Sequence, residues 1–114
     1  ARVLTQDLAG IAGLHTPVET AQGESSFNLY SILIDPAEFG CDRDELSSRL
    51  AAQGVGSAVH YPRCLHQQPV YASASQPALQ IAEMLSRRIL SIPVDPSLGE
   101  EEMHHVTEAV KNAS

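Results

Sequence analysis

One run does most to limit the fold. Phe27-Asn-Leu-Tyr-Ser-Ile-Leu-Ile-Asp35 is rich in aromatic and branched side chains, and Pro36 closes it. Such a run predicts a strand at least half buried, because these side chains pack on a pleated surface and proline cannot carry the hydrogen-bond ladder onward. A strand must find partners and something to cover it, so the rest of the chain is read for both.

The cover comes as segments of helical period. From Cys41 to Gly54, Asp42 is placed to cap a helix with Glu45 three residues on, Leu46 and Leu50 stack one turn apart, and Gly54 supplies a left-handed stop. Ser75-Gln-Pro77 predicts a further helix start, with Ala78, Ala82, Leu85 and Ile89 along one face. A last helix is expected from Gly99 to Asn112, burying Met103, Val106 and Val110, with Glu100, Glu101 and Glu102 complementing the dipole of its first turn. Arg2 to Leu8 reads as the tail of a helix that leads into a connector with Gly10 and Gly13.

Partner strands are shorter. Val55 to His60, entered through Gly54 and Gly56, reads as a second strand, and Leu90-Ser-Ile-Pro-Val94 as a third that Pro93 confines to an edge or a strand end. The expected class is α/β of an α+β-like kind: a small mixed or antiparallel sheet of three to four strands with helices mainly on one face. At 114 residues the chain is one domain long. Residues 1–25 form helix tail and connector, and residues 26–114 the core. Because the first helix opens at Val3 without a capping residue, the chain reads as a fragment of a larger protein.

Charge and hydropathy exclude several classes. Seven Lys and Arg against fourteen Asp and Glu leave a net charge of -7, which repels a nucleic acid backbone. No apolar run approaches the ~20 residues that span a bilayer, and the amino terminus lacks the regions of a signal peptide. A cytoplasmic protein is expected. Two cysteines, Cys41 and Cys64, are too few for a secreted disulfide framework, and Cys41 reads as a small apolar filler.

The chemistry is concentrated between Ala58 and Tyr71, where His60, Tyr61, Arg63, Cys64, His66 and Tyr71 surround Pro62 and Pro69. His60, Cys64 and His66 are zinc-ligand types, but tetrahedral zinc wants a fourth donor and no second ligand pair follows. Cys64 with a histidine base would make a nucleophile only with an orienting group and an oxyanion hole. A scaffolding loop, with rings buried and polar tips on the backbone, is the plain alternative. The other reading is a stiff loop that projects hydrogen-bond donors into a cleft shared with another domain or subunit. His104 and His105 point to different faces of the last helix, and His15 carries no readable role.

Phe27-Asn-Leu-Tyr-Ser-Ile-Leu-Ile34, Arg43-Asp-Glu-Leu46, Gly54-Val-Gly56, His60-Tyr-Pro62, Leu65-His66 with Gln68-Pro69 and Tyr71, Ile89-Leu-Ser-Ile-Pro93, and Glu101-Glu-Met-His-His-Val106 with Glu108-Ala-Val110 together resemble the carboxy-terminal small domain of DegT-type sugar-nucleotide aminotransferases, which are fold-type-I pyridoxal-phosphate enzymes. The resemblance implies a dimeric enzyme that moves an amino group from an amino-acid donor to a nucleotide-linked keto sugar through pyridoxal phosphate. It implies that the loop from His60 to Tyr71 lies toward the cleft, with His60, Tyr61 and His66 as substrate-side contacts. Asn28 stands where the family usually has histidine, Gly99 where it has threonine or serine, and Arg63-Cys64 where apolar residues or proline are usual.

Pyridoxal-phosphate transamination also needs a lysine amine and an acidic partner for the ring nitrogen. The only lysine is Lys111, on the tail of the last helix, so this chain is expected to bind no cofactor and to hold no catalytic or metal-binding residue. The missing large domain of the parent enzyme would supply them. A free-standing module that binds a small ligand or protein through the same loop is the alternative.

Overall fold

The computed structural model describes residues 1–71 and 78–114. The elements run α1 (Arg2–Asp7), β1 (Leu14–His15), β2 (Tyr30–Ile34), α2 (Pro36–Phe39), α3 (Arg43–Ala52), α4 (Gln80–Arg88), β3 (Ile89–Ile92) and α5 (Glu100–Lys111), with short 3-10 turns at Leu65–Gln67 and Pro69–Tyr71. The three strands form one antiparallel sheet in the order β1-β2-β3. The class is therefore the expected one, in its antiparallel form.

The Phe27–Asp35 run does form the central strand, over its second half. Tyr30, Ile32 and Ile34 alternate into the core while Ser31 and Leu33 stay partly exposed. Leu4 and Leu8, Leu46 and Leu50 of α3, and Val106 and Val110 of α5 close over them, and α5 packs against both α1 and α3. Burying each such side chain contributes about 1.5–3 kcal/mol, which makes this cluster the main support of a small domain.

Capping follows the expected chemistry. Asp42 Oδ1 accepts from the Asp44 and Glu45 amides at 3.0 and 2.9 Å. Glu45 is free to pair with Arg49, 2.6 Å away. Gly54 takes the left-handed conformation, φ 76°. Gly99 offers no side chain, and the cap of α5 is made in reverse: Gly99 N donates to Glu102 Oε2 at 2.9 Å.

Two expectations change. Val55–His60 is no strand; it meets β3 only at Ala58, which exchanges backbone hydrogen bonds with Ser91 at 3.0 and 2.7 Å before the chain turns away. Two glycines in three residues weaken this segment as a strand, and Pro62 has no amide to extend a ladder. The face of α4 expected to be buried is largely open: Ala78 and Ala82 are exposed, and Leu85 and Ile89 are only half buried. The proposed start of that helix at Ser75-Gln-Pro77 lies outside the described residues. β1 and α2 carry no periodic signal because each is too short.

β1 depends on Gly13. Its φ is +70°, and a Cβ built there would stand 2.7 Å from the Asp35 carbonyl oxygen, with Phe39 N closer still. That close approach lets Asp35 N donate to Gly13 O at 2.7 Å and brings Leu14 opposite Ile34. Among the described residues, no helix is long and apolar enough to cross a membrane.

Candidate functional site

The loop after Ala58 is positioned at both ends. At its start, the paired backbone bonds between Ala58 and Ser91 fix the chain beside β3, two residues before His60. Farther along, His66 Nε2 lies 3.1 Å from Glu83 Oε1, which ties the first 3-10 turn to α4. Glu83 Oε1 also accepts from Leu79 N at 3.1 Å, so one carboxylate oxygen caps a helix with no side-chain cap and holds the loop. The His66 hydrogen bond, reinforced by the Leu79 amide, holds the Glu83 carboxyl below the usual glutamate range. Arg43 completes the support of α4, donating through Nη1 to the Ser86 and Ile89 carbonyls at 3.2 and 3.3 Å. Its Nε pairs with Asp44 Oδ1 at 2.6 Å, outside hydrogen-bond alignment.

Between these anchors the three candidate side chains separate. His60 and Tyr61 line one groove of about 280 Å³, together with Arg63, Cys64, Leu85 and Ser86. The peptide between them is cis, and their rings stand edge to face with centroids 5.8 Å apart. Tyr61 is 73% exposed. His66 lines an adjacent groove of about 500 Å³ with Leu65, Tyr71 and Leu79. Its side chain is 11% exposed and its Nε2 is engaged by Glu83.

His60 also reaches a third recess, of about 400 Å³, whose wall includes Asn28, Ser57 and Ser91. Its Nδ1 is hydrogen-bonded to Ser91 Oγ at 3.2 Å, and Ser91 Oγ to Ser31 Oγ at 2.8 Å. These two serines were not among the residues singled out from sequence. A readable signal existed in Ser91, a hydroxyl inside the apolar run Leu90-Ser-Ile92, since a buried hydroxyl requires a partner. Among the described residues, no three His, Cys, Asp or Glu side chains come together in a way that could hold a metal ion. Cys64 is half buried and Cys41 buried, and burial pushes the Cys41 thiol up, toward the unreactive neutral form.

The model of the DegT/DnrJ/EryC1/StrS aminotransferase family matches residues 1–111. The chain belongs to this family. Within it, this DegT-family chain is 33% identical over 106 residues to dTDP-3-amino-3,4,6-trideoxy-alpha-D-glucose transaminase of Streptomyces venezuelae, covering 91% of the chain but 26% of that enzyme. It superimposes on S. venezuelae DesV, solved in complex with a ketimine intermediate, with a TM-score of 0.85 at 30% identity, over 98% of this chain and 29% of DesV. DesI, solved in the presence of its TDP-sugar product, shares the fold at TM-score 0.88 and 22% identity, over 97% of this chain and 28% of DesI. The DegT-family chain thus spans less than a third of the length of the relatives it matches.

Membership of this family implies pyridoxal phosphate in the longer protein, and that cofactor is held as a Schiff base on a lysine amine. Lys111, the one lysine, lies on α5 with its Nζ 2.9 Å from Glu108 Oε1, and this pairing draws the Glu108 carboxyl below its usual range. A paired, partly exposed ammonium of this kind is a poor nucleophile.

Proposed function

We propose that this chain corresponds to the carboxy-terminal small domain of a pyridoxal-phosphate-dependent aminotransferase that acts on a nucleotide-linked keto sugar, and that it contributes a substrate-side loop and part of the cleft. The observation that carries the reading is the shared groove of His60 and Tyr61, with a donor-capable ring and a hydroxyl presented from a loop anchored at both ends. Such anchoring lowers the entropy lost when a ligand is bound.

In this reading His60 and Tyr61 contact substrate, and His66 holds the loop through Glu83. The cofactor, when bound, supplies the electron sink for moving the amino group, and its lysine belongs to the large domain of the longer protein. The amino-acid donor and the sugar nucleotide meet there, and the protein acts in the cytoplasm as a homodimer. The open flank of Leu65, Val70, Leu79 and Ile81 is the surface through which this domain packs on the rest of that assembly.

The test uses the longer protein. His60→Ala and Tyr61→Phe are assayed for amino transfer to nucleotide-linked keto sugars, with thermal stability measured on the same preparations. Loss of turnover at unchanged stability supports the reading, and unchanged kinetics in both variants overturns it.

A further inference from the structure

The Ser31–Ser91–His60 chain carries an inference that rests on His60 facing substrate and adds which atom of it does so. Ser91 is 6% exposed, and its Oγ touches both Ser31 Oγ and His60 Nδ1. Ser31 and Ser91 are paired directly across the β2–β3 ladder, so the two hydroxyls are held together by sheet register. Ser91 is also the residue whose backbone bonds fix Ala58. One residue therefore positions both the segment that leads to His60 and the ring itself.

Proton counting then selects a tautomer. Each hydroxyl has one hydrogen, and a neutral imidazole has one N–H. If Ser31 donates to Ser91 and Ser91 donates to Nδ1, both serine protons are used inside the chain, and the imidazole proton stands on Nε2. In the reverse direction Nδ1 donates to Ser91, Ser91 donates to Ser31, and the Ser31 proton finds no acceptor among the described residues. The first arrangement leaves only one group to be satisfied from outside, the Nε2–H. Nε2 has no hydrogen-bond partner among the described residues, and His60 lines both the recess next to Asn28 and the groove of Tyr61.

We propose that Ser91, backed by Ser31, is a positioning residue that holds His60 as the Nε2–H tautomer, so that the ring presents a donor to an oxygen of the bound substrate, whether carbonyl, carboxylate or phosphate.

The tautomer is measured by long-range proton–nitrogen correlation on the 15N-labelled protein at alkaline pH, where imidazoles are neutral. The expected result is a His60 ring with unprotonated Nδ1 and protonated Nε2. Ser91→Ala should move both nitrogen shifts toward the average of mixed tautomers, and Ser91→Thr, which keeps the hydroxyl, should restore them. Ser31→Ala should move them in the same direction by less, and it carries the test if Ser91→Ala does not fold. A wild-type ring protonated on Nδ1, or shifts unmoved by removal of either hydroxyl, overturns the proposal. In the longer protein, Ser91→Ala should lower kcat/KM for the sugar substrate about tenfold, the scale of one hydrogen bond. If the tautomer shifts but turnover does not, the positioning of the ring by Ser91 stands and the donor role of His60 toward substrate is overturned.

Discussion

His66 Nε2 and Glu83 Oε1 lie 3.1 Å apart across seventeen positions of sequence, with side chains 11% and 24% exposed. Through this pair the loop that carries His60 and Tyr61 is fastened to the first turn of α4. Because the same carboxylate oxygen accepts from Leu79 N, loss of its charge loosens the loop and the helix start together.

Acid should therefore act on this corner of the fold. The Glu83 carboxyl is held below its ordinary value of 4.5, first by the His66 hydrogen bond and then by the Leu79 amide. A group depressed in the folded state stabilises above its unfolded value and ceases to do so as pH falls through the lowered one. The melting temperature of the wild type should thus fall more steeply below pH 4.5 than that of Glu83→Gln, which keeps an acceptor but cannot titrate. Part of the acid loss should remain, because Asp95 and Glu108 are depressed as well, by Ser97 and Lys111. Parallel curves for the two proteins would contradict the assignment.

His60→Ala and Tyr61→Phe in the longer protein should each cost about 0.5–3 kcal/mol of transition-state stabilisation with the sugar substrate. Tyr61→Phe should leave the melting temperature unchanged, since the ring is exposed. His66→Ala should show the opposite balance, with stability falling first. Steady-state kinetics and thermal melts on the three variants separate these patterns.

The open apolar flank predicts association of the chain on its own. Leu65 is 74% and Ile81 73% exposed, and Val70, Tyr71 and Leu79 lie on the same loop and helix start. Leu65→Ser with Ile81→Glu should reduce self-association in sedimentation velocity while changing stability by less than about 1 kcal/mol, as surface substitutions do. A strictly monomeric wild type at high concentration would refute this.

Gly13→Ala should be among the most damaging small changes. It forces a left-handed φ of +70° on a residue with a Cβ and drives that Cβ into the Asp35 and Phe39 backbone. A loss of at least about 2 kcal/mol is expected. Gly23→Ala, where a Cβ meets nothing within 4 Å, is the control and should stay within about 0.5 kcal/mol. Urea midpoints of the two variants give the comparison.

Mixed with pyridoxal phosphate, the chain alone should develop no stoichiometric, saturable absorbance band of a lysine-bound cofactor. The reason is the placement of Lys111 against Glu108 on α5. A band that saturates at one equivalent and disappears in Lys111→Ala would show that the chain holds the cofactor itself.

Local pattern was enough to read β2, α3, α5 and the Asp42 cap from the sequence, because periodicity, capping residues and a left-handed glycine all act within one turn or one strand. The loop was legible as chemistry for the same reason: its side-chain types and two prolines are adjacent in the chain. What sequence could not supply were the partners at long separation. Ser91 reaches His60 across 31 positions and Ser31 across 60, and Arg43 reaches Ile89 across 46. The amphipathic period of α4 predicted a buried face, but periodicity records only that a face is apolar. Whether the chain itself covers that face is decided by where the sheet and the other helices end. In the same way His60, Tyr61 and His66 look equivalent as residues, and only folding commits His66 to Glu83 and leaves His60 and Tyr61 together in one groove, because register across β2–β3 and the reach of α4 set which ring finds a partner first.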